Sequence, residues 1–321
     1  MSTPLLEINN LKKYFPIREG LLMRARHFNQ AVDDVSLTIQ PGETLGLVGE
    51  SGCGKSTLGR CIVKLYQPDQ GKILFEGADI ARQNKTSKKD YRKAVQMIFQ
   101  DPLESLNSRH TVAEILTEPF LIHNIGNRQW REARVRQLLE IVGLPSNSIT
   151  RYPFEFSGGQ RQRIGIARAL ALEPKLIVCD EAVSALDVSI QSQIINLLLE
   201  LQAEFNMAYL FIAHDLAVVK HISDRVAVMY LGKIVETADS ETIYKNSRHP
   251  YTQSLIDSIP IPDPRHKVQR EILQGDIPSA INPPSGCGFH TRCPRVMDCC
   301  KVDRPKIRNA TPQHSFRCHL D

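Results

Sequence analysis

The chain has 321 residues, 42% of them hydrophobic and 23% charged, with a formal net charge of +5. That length builds a sizeable core in one or two domains, and the lack of any apolar run of about 18 residues excludes a spanning helix. The start Met1-Ser2-Thr3-Pro4-Leu5 lacks the basic and apolar regions of a secretory signal, which predicts a cytoplasmic protein, and the basic runs at 18–26 and 85–93 read as solvated surface or loop rather than a nucleic-acid or lipid face.

From Leu5 to about Phe99 the pattern is strand-rich, with short apolar runs such as 32–39 and 72–75 broken by Pro41-Gly42 and Gly77. Within it the apolar run Thr44-Leu45-Gly46-Leu47-Val48 leads directly into Gly49-Glu50-Ser51-Gly52-Cys53-Gly54-Lys55-Ser56-Thr57. The pattern G-x-x-x-x-G-K-S puts glycines where the backbone must bend tightly and turn its amide hydrogens onto phosphate oxygens. Lys55 supplies a cation for the β- and γ-phosphates and Ser56 a hydroxyl for magnesium. A helix predicted from Thr57 to about Leu65 aims its positive end at the anion. Glycine-rich turns also cap ordinary helices, but a strand before and a helix after make this a nucleotide phosphate cradle.

Between about Asp101 and Ala171 the period turns helical, as in 112–116 and 131–142, and a helical insertion is expected. Near its end Ser157-Gly158-Gly159 precedes a helix running to about Leu172, so a hydroxyl and backbone amides gather at a second helix N-terminus. Strand-like runs return at 176–179, 208–213 and 226–230, the first two separated by an amphipathic helix from Ser189 to about Phe205. This alternation predicts a mainly parallel sheet. The run Leu176-Ile177-Val178-Cys179-Asp180-Glu181 ends a buried strand on two acids. Beside a phosphate loop, Asp180 is suited to magnesium through its water shell, and Glu181 to polarising the water that attacks a γ-phosphate.

After about Pro250 the texture is irregular, with prolines at 260, 262, 264, 278, 283 and 284. Of eight cysteines, five lie in the last stretch: Cys287, Cys293, Cys299, Cys300 and Cys318. Cytosolic thiols stay reduced, so disulfides are the weaker explanation. No pair of close C-x-x-C units marks the common zinc signature, although His290, His314 and His319 could complete a zinc site. Spacing leaves zinc, an iron-sulfur cluster and free thiols equally open.

Phe156-Ser157-Gly158-Gly159-Gln160-Arg161-Gln162-Arg163 resembles the signature motif of ABC-type ATPases, with Phe156 where leucine is usual. The resemblance implies that Ser157, Gly158, Gly159 and Gln160 complete the site of a partner domain, two ATP molecules being sandwiched head to tail. Gln100 resembles the Q-loop glutamine that senses magnesium and the transmembrane partner. Ser184-Ala185-Leu186-Asp187 resembles the D-loop, and His214 the switch histidine that contacts the γ-phosphate. Tyr14 resembles the aromatic residue that stacks on adenine, with Phe15 as competitor. Ala182 stands where the family usually has proline. These matches span roughly residues 5–240.

Asn282-Pro283-Pro284-Ser285-Gly286-Cys287, then Phe289-His290-Thr291-Arg292-Cys293-Pro294, Cys300 and Cys318-His319, resemble the C-terminal extension of dipeptide and oligopeptide importer ATPases, which His249-Pro250-Tyr251-Thr252-Gln253 resembles at its opening. That resemblance implies a four-iron four-sulfur (4Fe-4S) cluster on Cys287, Cys293, Cys300 and Cys318. Cys299 is then a spare thiol or an alternative ligand, while Cys53, Cys61 and Cys179 are packing residues.

The expected architecture is an α/β phosphate-loop NTPase, an ABC nucleotide-binding domain over 1–250 followed by an irregular cysteine-rich extension over 251–321. The domain would combine a mainly parallel core sheet, an antiparallel β subdomain and a helical subdomain over about 101–171. The expected function is the ATP-hydrolysing subunit of a bacterial ABC importer for dipeptides or oligopeptides, closest to the second of the two ATPase subunits such systems use. ATP and Mg2+ would be held by Tyr14, residues 49–57, Gln100 and Asp180, with Glu181, His214 and Lys55 catalytic and Ser56, Gln100 and Asp180 on the magnesium. The implied partners are a second ABC ATPase subunit, two transmembrane permease subunits and a periplasmic or extracellular peptide-binding protein, with no nucleic acid. The implied place is the cytoplasmic face of the inner (plasma) membrane. Nickel, glutathione and antimicrobial-peptide systems are the related alternatives. A soluble ABC protein acting on ribosomes or DNA would usually show two nucleotide domains or a long coiled coil, whereas this sequence has one motif set and no sustained heptads.

Overall fold

The structure is a computed structural model that describes residues 3–19, 24–82, 85–259 and 275–320. Pro260, Pro262, Pro264 and the centre of the basic run at 18–26 lie outside the described residues. The strands, in chain order, are β1 (Leu6–Glu19), β2 (Arg24–Ile39), β3 (Thr44–Val48), β4 (Gln70–Phe75), β5 (Ala78–Asp79), β6 (Val95–Ile98), β7 (Leu176–Asp180), β8 (Ala208–Ile212), β9 (Arg225–Tyr230), β10 (Lys233–Asp239), β11 (Arg308–Thr311) and β12 (His314–Phe316). The chain forms two compact units, one from residues 1–39, 44–79 and 213–321, the other from 40–43 and 80–212.

The first unit holds an antiparallel sheet in the order β2-β1-β4-β5. Leu6, Ile8 and Leu11 of β1 and Val32, Val35, Leu37 and Ile39 of β2 are buried, a half-buried pattern that fits a sheet with one covered face. A second group of strands runs β11-β12-β10-β9-β3. Here β3 pairs parallel with β9, and the other pairings are antiparallel. All five β3 residues are buried, which explains their continuous apolar run. At the entrance of β3 the Asp224 carboxylate accepts the Thr44 amide at 2.8 Å. Gly46 is required by packing: a Cβ there would stand 2.5 Å from Val219 Cγ1 and 2.6 Å from Ser223 Oγ.

The C-terminal extension is part of this unit. Its β11–β12 hairpin joins the edge of β10, with Glu236 opposite Phe316 and Thr237 opposite Ser315. The carboxylate of Glu236, only 1% exposed, accepts the amides of Arg248 (2.6 Å) and His249 (3.0 Å) and pairs with His314 Nε2 at 2.7 Å. One buried acid thus ties the hairpin to the turn before the helix Pro250–Asp257. That helix is capped by His249, whose Nδ1 accepts the Tyr251 amide at 3.1 Å.

The second unit carries β8-β7-β6, all parallel, with every residue of β7 and β8 buried. Its helices include Val112–His123, Arg128–Ile141, Gly158–Leu170 and Val188–Phe205. Phe120 and Trp130 meet edge to face at 5.2 Å between the first two. The α/β class and the helical stretch agree with the sequence expectation. The basic run at 85–93 is solvated surface, as expected, but in the form of the helix Lys85–Ala94 and not of a loop, anchored by Tyr91 at 3% exposure. The helix after the phosphate loop begins at Lys55 rather than Thr57 and ends at Ile62.

His249 makes stability depend on pH. Its ordinary pKa is 6.5, and burial pushes the folded imidazole down to about 3. The unfolded chain therefore takes up a proton that the folded chain refuses. This contribution is whole above about pH 6.5 and falls as pH drops toward 3, by at most about 1.4 kcal/mol per pH unit. His249→Asn keeps an acceptor for the Tyr251 amide and does not titrate. Urea unfolding of this variant between about pH 7 and pH 4 is expected to show a shallower loss of stability than the wild type.

Candidate functional site

In the first unit, the chain leaves β3 at Gly49 with a φ of +150° and enters the helix Lys55–Ile62 through Gly54 at +109°. A Cβ on Gly49 would lie 2.1 Å from the Met229 carbonyl oxygen, and one on Gly54 would lie 1.9 Å from that of Ala31. No other residue type fits at either place. Cys53 is buried between them, its carbonyl accepting the Gly232 amide at 2.9 Å. Burial raises its thiol pKa, so it stays protonated at neutral pH. Ser51 and Gly52 are exposed, and Ser56 and Thr57 half-buried.

Lys55 is only 4% exposed, and its ammonium donates to the carbonyls of Gly49 (2.6 Å) and Glu50 (3.0 Å). The loop therefore holds its own cation in place. Glu50 is fixed from the extension: its amide donates to the Tyr251 hydroxyl at 2.8 Å, and its carboxylate takes both Arg292 terminal nitrogens at 2.7 and 2.9 Å. Nothing in the sequence links Glu50 with Arg292, and this contact was not anticipated.

Tyr14 lies on β1, its hydroxyl donating to Asp33 Oδ1 at 2.6 Å. Burial, then this bond, raises its phenol pKa. Lys233 and Tyr14 hold the Asp33 carboxyl below its usual range in spite of its burial. Phe15, the alternative aromatic, packs edge to face on Tyr66 at 5.3 Å. His214 is exposed, directly after Ala213, whose amide donates to the Leu47 carbonyl at 3.2 Å.

In the second unit, Asp180 ends β7 at 1% exposure. Glu181 follows with a φ of +48°, a left-handed conformation that costs a non-glycine residue on the order of 1 kcal/mol. Its surroundings hold it there: its amide donates to the Ile212 carbonyl (3.0 Å), and its own carbonyl accepts the Ser184 hydroxyl (3.0 Å). Gln100 Nε2 donates to Glu181 Oε2 at 3.0 Å. Two residues predicted for neighbouring roles are thus brought into contact, 81 positions apart.

Ser157 caps the helix Gly158–Leu170 in a reciprocal box, its hydroxyl accepting the Gln160 amide while Gln160 Oε1 accepts the Ser157 amide. A Cβ on Gly159 would meet Ile190 Cγ2 at 2.5 Å, and one on Gly158 would meet Leu186 at 3.3 Å, so these glycines let the segment around 186–190 approach. Ser157 and Asp187 are both exposed, and Asp187 caps the helix Val188–Phe205. Phe156 fills the apolar position before the cap, under the Arg151 guanidinium at 4.3 Å.

All eight cysteines are free thiols. Burial first, and then the neighbouring thiols of Cys300, Cys318 and Cys293, push the Cys287 thiol up to about 11. Burial, then Cys293 and Cys300, also raises the Cys318 thiol, and partial desolvation, then Cys300, raises that of exposed Cys299. Cys287 and Cys293 are half-buried and Cys300 and Cys318 buried, with no disulfide among them. Among the described residues, no group of three or more His, Cys, Asp or Glu side chains is placed to hold a metal ion.

Comparison with known proteins agrees with these features. Residues 32–184 match the ABC transporter family model, and residues 235–300 match the model for the C-terminal region of oligopeptide/dipeptide transporters. The chain is 55% identical over 319 residues to the oligopeptide transport ATP-binding protein AppF of Bacillus subtilis, covering 98% of this chain and 97% of that protein. It is 51% identical to the putative oligopeptide transport ATP-binding protein YkfD of the same organism, covering 99% and 95%. To a putative peptide import ATP-binding protein of Brucella ovis it is also 51% identical, covering 99% and 98%. Among solved structures, the ATP-binding cassette MJ0796, a dimer in a post-hydrolysis state bound to ADP and Pi, superposes with a TM-score of 0.64 at 25% identity, covering 73% of this chain and 98% of that one. CbiO1 of Clostridium perfringens, part of an ABC transporter complex, superposes with the same score at 24% identity, covering 76% and 92%, which speaks for the fold.

Proposed function

The chain belongs to the ABC transporter family, in its oligopeptide/dipeptide branch, and from that premise we propose that it is the ATP-hydrolysing subunit of a bacterial peptide importer that energises uptake through membrane partners. The observation that carries the reading is the phosphate loop. Its Gly49 and Gly54 stand where no Cβ fits, and Lys55 is already seated on the loop carbonyls. Cargo and partners rest on relatives.

In this reading Lys55 and the amides of residues 49–57 stabilise charge on the transferred phosphoryl group, and Tyr14 stacks on the adenine. Ser56, Gln100 and Asp180 would hold magnesium, which would supply positive charge against that of the phosphates. Glu181, poised by its hydrogen bond to Gln100, accepts a proton from the attacking water, and His214 orients that water. Ser157, Gly158, Gly159 and Gln160 cap the nucleotide of a second cassette. The exposure of Ser157, Asp187 and Val188 supports an interface there.

The second cassette is a related ATPase subunit, and the assembly includes two transmembrane permease subunits and a peptide-binding protein. Leu121, Ile122, Tyr152 and Phe154 in the second unit are large exposed apolar side chains, a surface suited to such partners. Among the described residues no helix is long and apolar enough to cross a membrane. The proposed place, argued from the transport relatives, is peripheral, on the cytoplasmic face of the inner membrane. In the extension, Cys287, Cys293, Cys300 and Cys318 hold a 4Fe-4S cluster. Such a cluster would be held by four thiolates.

Three outcomes are expected. Glu181→Gln retains ATP binding and slows steady-state hydrolysis by roughly 100-fold or more, the size of a lost general base; unchanged turnover removes Glu181 from that role. Affinity purification from membranes recovers two permease subunits and a second ATPase, whereas recovery of ribosomes or DNA sinks the transport reading. Anaerobic purification followed by iron, sulfide and zinc analysis yields iron and sulfide in equal amounts, and stoichiometric zinc without sulfide overturns the cluster.

A further inference from the structure

An acid inside a loop that binds phosphate is a contradiction, because it repels the ligand the loop is shaped to hold. Glu50 is such an acid, the second residue of the cradle. Its carboxylate is engaged by Arg292 with both terminal nitrogens, at 2.7 and 2.9 Å. The side chains are 5% (Arg292) and 23% (Glu50) exposed, so the pair is largely withdrawn from water. A two-pronged pair of this kind is among the strongest charge-assisted contacts and fixes orientation as well as charge.

Glu50 is also the residue through which the loop is held. Its amide donates to the Tyr251 hydroxyl, its carbonyl accepts the Lys55 ammonium at 3.0 Å and the Cys53 amide at 3.3 Å, and its carboxylate meets Arg292. All three polar parts are committed. Displacing Glu50 would displace a carbonyl that seats Lys55.

Arg292 is itself positioned by the cysteine-rich extension. Its amide donates to the Phe289 carbonyl at 3.0 Å, and Phe289 packs against Tyr230 and Tyr251, each at 5.3 Å between ring centres. Upstream, the Cys287 amide donates to the Cys300 carbonyl at 2.8 Å. Gly286, with a φ of +63°, allows that closure, since a Cβ there would stand 2.3 Å from the same oxygen. The turn that carries Arg292 is thus set by the fold of the extension.

We infer that Arg292 is a positioning residue for the nucleotide phosphates: from the C-terminal extension it neutralises Glu50 and clamps it, and through Glu50 it fixes the loop that seats Lys55. The extension is then a working part of the nucleotide site and not an appendage. This inference rests on the ATP-binding reading above, but one of its readouts does not need nucleotide.

The test uses the full-length chain with Mg-ATP and Mg-ADP as probes. Arg292→Ala is expected to weaken equilibrium binding of both by roughly 3- to 30-fold, the range of coupling for a contacting charged pair. It is also expected to raise KM more than it lowers kcat. Glu50→Gln/Arg292→Ala is expected to recover part of the lost affinity, because the unpaired charge is gone while the clamp is not restored. A purely structural role for Arg292 would leave the double variant as weak as the single one. In nucleotide-free protein, hydrogen exchange across residues 49–57 is expected to quicken in Arg292→Ala. That readout holds even if the wild type bound no nucleotide, a result that would defeat the ATP reading separately. Arg292→Lys keeps the charge without the fork and serves if the alanine variant does not fold, with an intermediate loss expected. Wild-type affinity and wild-type loop exchange in Arg292→Ala, or no recovery in the double variant, would overturn the inference.

Discussion

A loop that grips phosphate with its own amides must keep those amides turned inward when no phosphate is there to hold them. The backbone around residues 49–57 is constrained to that end. The Met229 and Ala31 carbonyls stand where side chains on Gly49 and Gly54 would be, and the Gly232 amide fastens Cys53. Lys55 bonds to the carbonyls of the loop it serves. These contacts place the cost of ordering the loop in folding rather than in binding, which is the physical meaning of a preorganised electrostatic site.

The second unit holds its candidate groups in the same manner. Glu181 sits in a left-handed conformation at the end of a fully buried strand, stabilised by Ile212, Ser184 and Gln100. A strained residue persists only where its surroundings over-determine it, and here its own turn and two distant segments do so. Ser157 and Gln160 cap each other's helix turn, while Gly158 and Gly159 let Leu186 and Ile190 come close. Residue types that a signature motif demands are therefore also explained by local packing. Capping residues at an exposed helix start remain accessible to an anion, so the two explanations do not compete.

Much of this was legible in the sequence, for identifiable reasons. The runs at 44–48, 176–180 and 208–212 are continuous because both faces of those strands are buried, and the phosphate loop is local in sequence because its cradle is made of consecutive amides. Other parts were not legible. The helix Lys85–Ala94 has one buried aromatic, Tyr91, among mostly charged and polar residues, too sparse an apolar stripe for a helical period. The β11–β12 hairpin has strands of four and three residues, too short to show alternation, and it follows a proline-broken stretch. The helix Pro250–Asp257 was hidden by the irregular texture after it, although proline at its first position is a common start.

By itself the sequence determined the chemistry on offer: a glycine-rich loop with its lysine, two acids at a strand end, a capped signature helix and a group of late cysteines. These were readable because each depends on residues that are neighbours along the chain or on a buried element with a fixed period. Only the tertiary structure decided which of them act on one another. Gln100 meets Glu181 across 81 positions, and Arg292 meets Glu50 across 242, and neither pair has a spacing rule that could announce it. The reason is physical: such contacts are set by where sheet edges and turns bring the chain back, and a charge carries no mark in the sequence of the partner that will neutralise it.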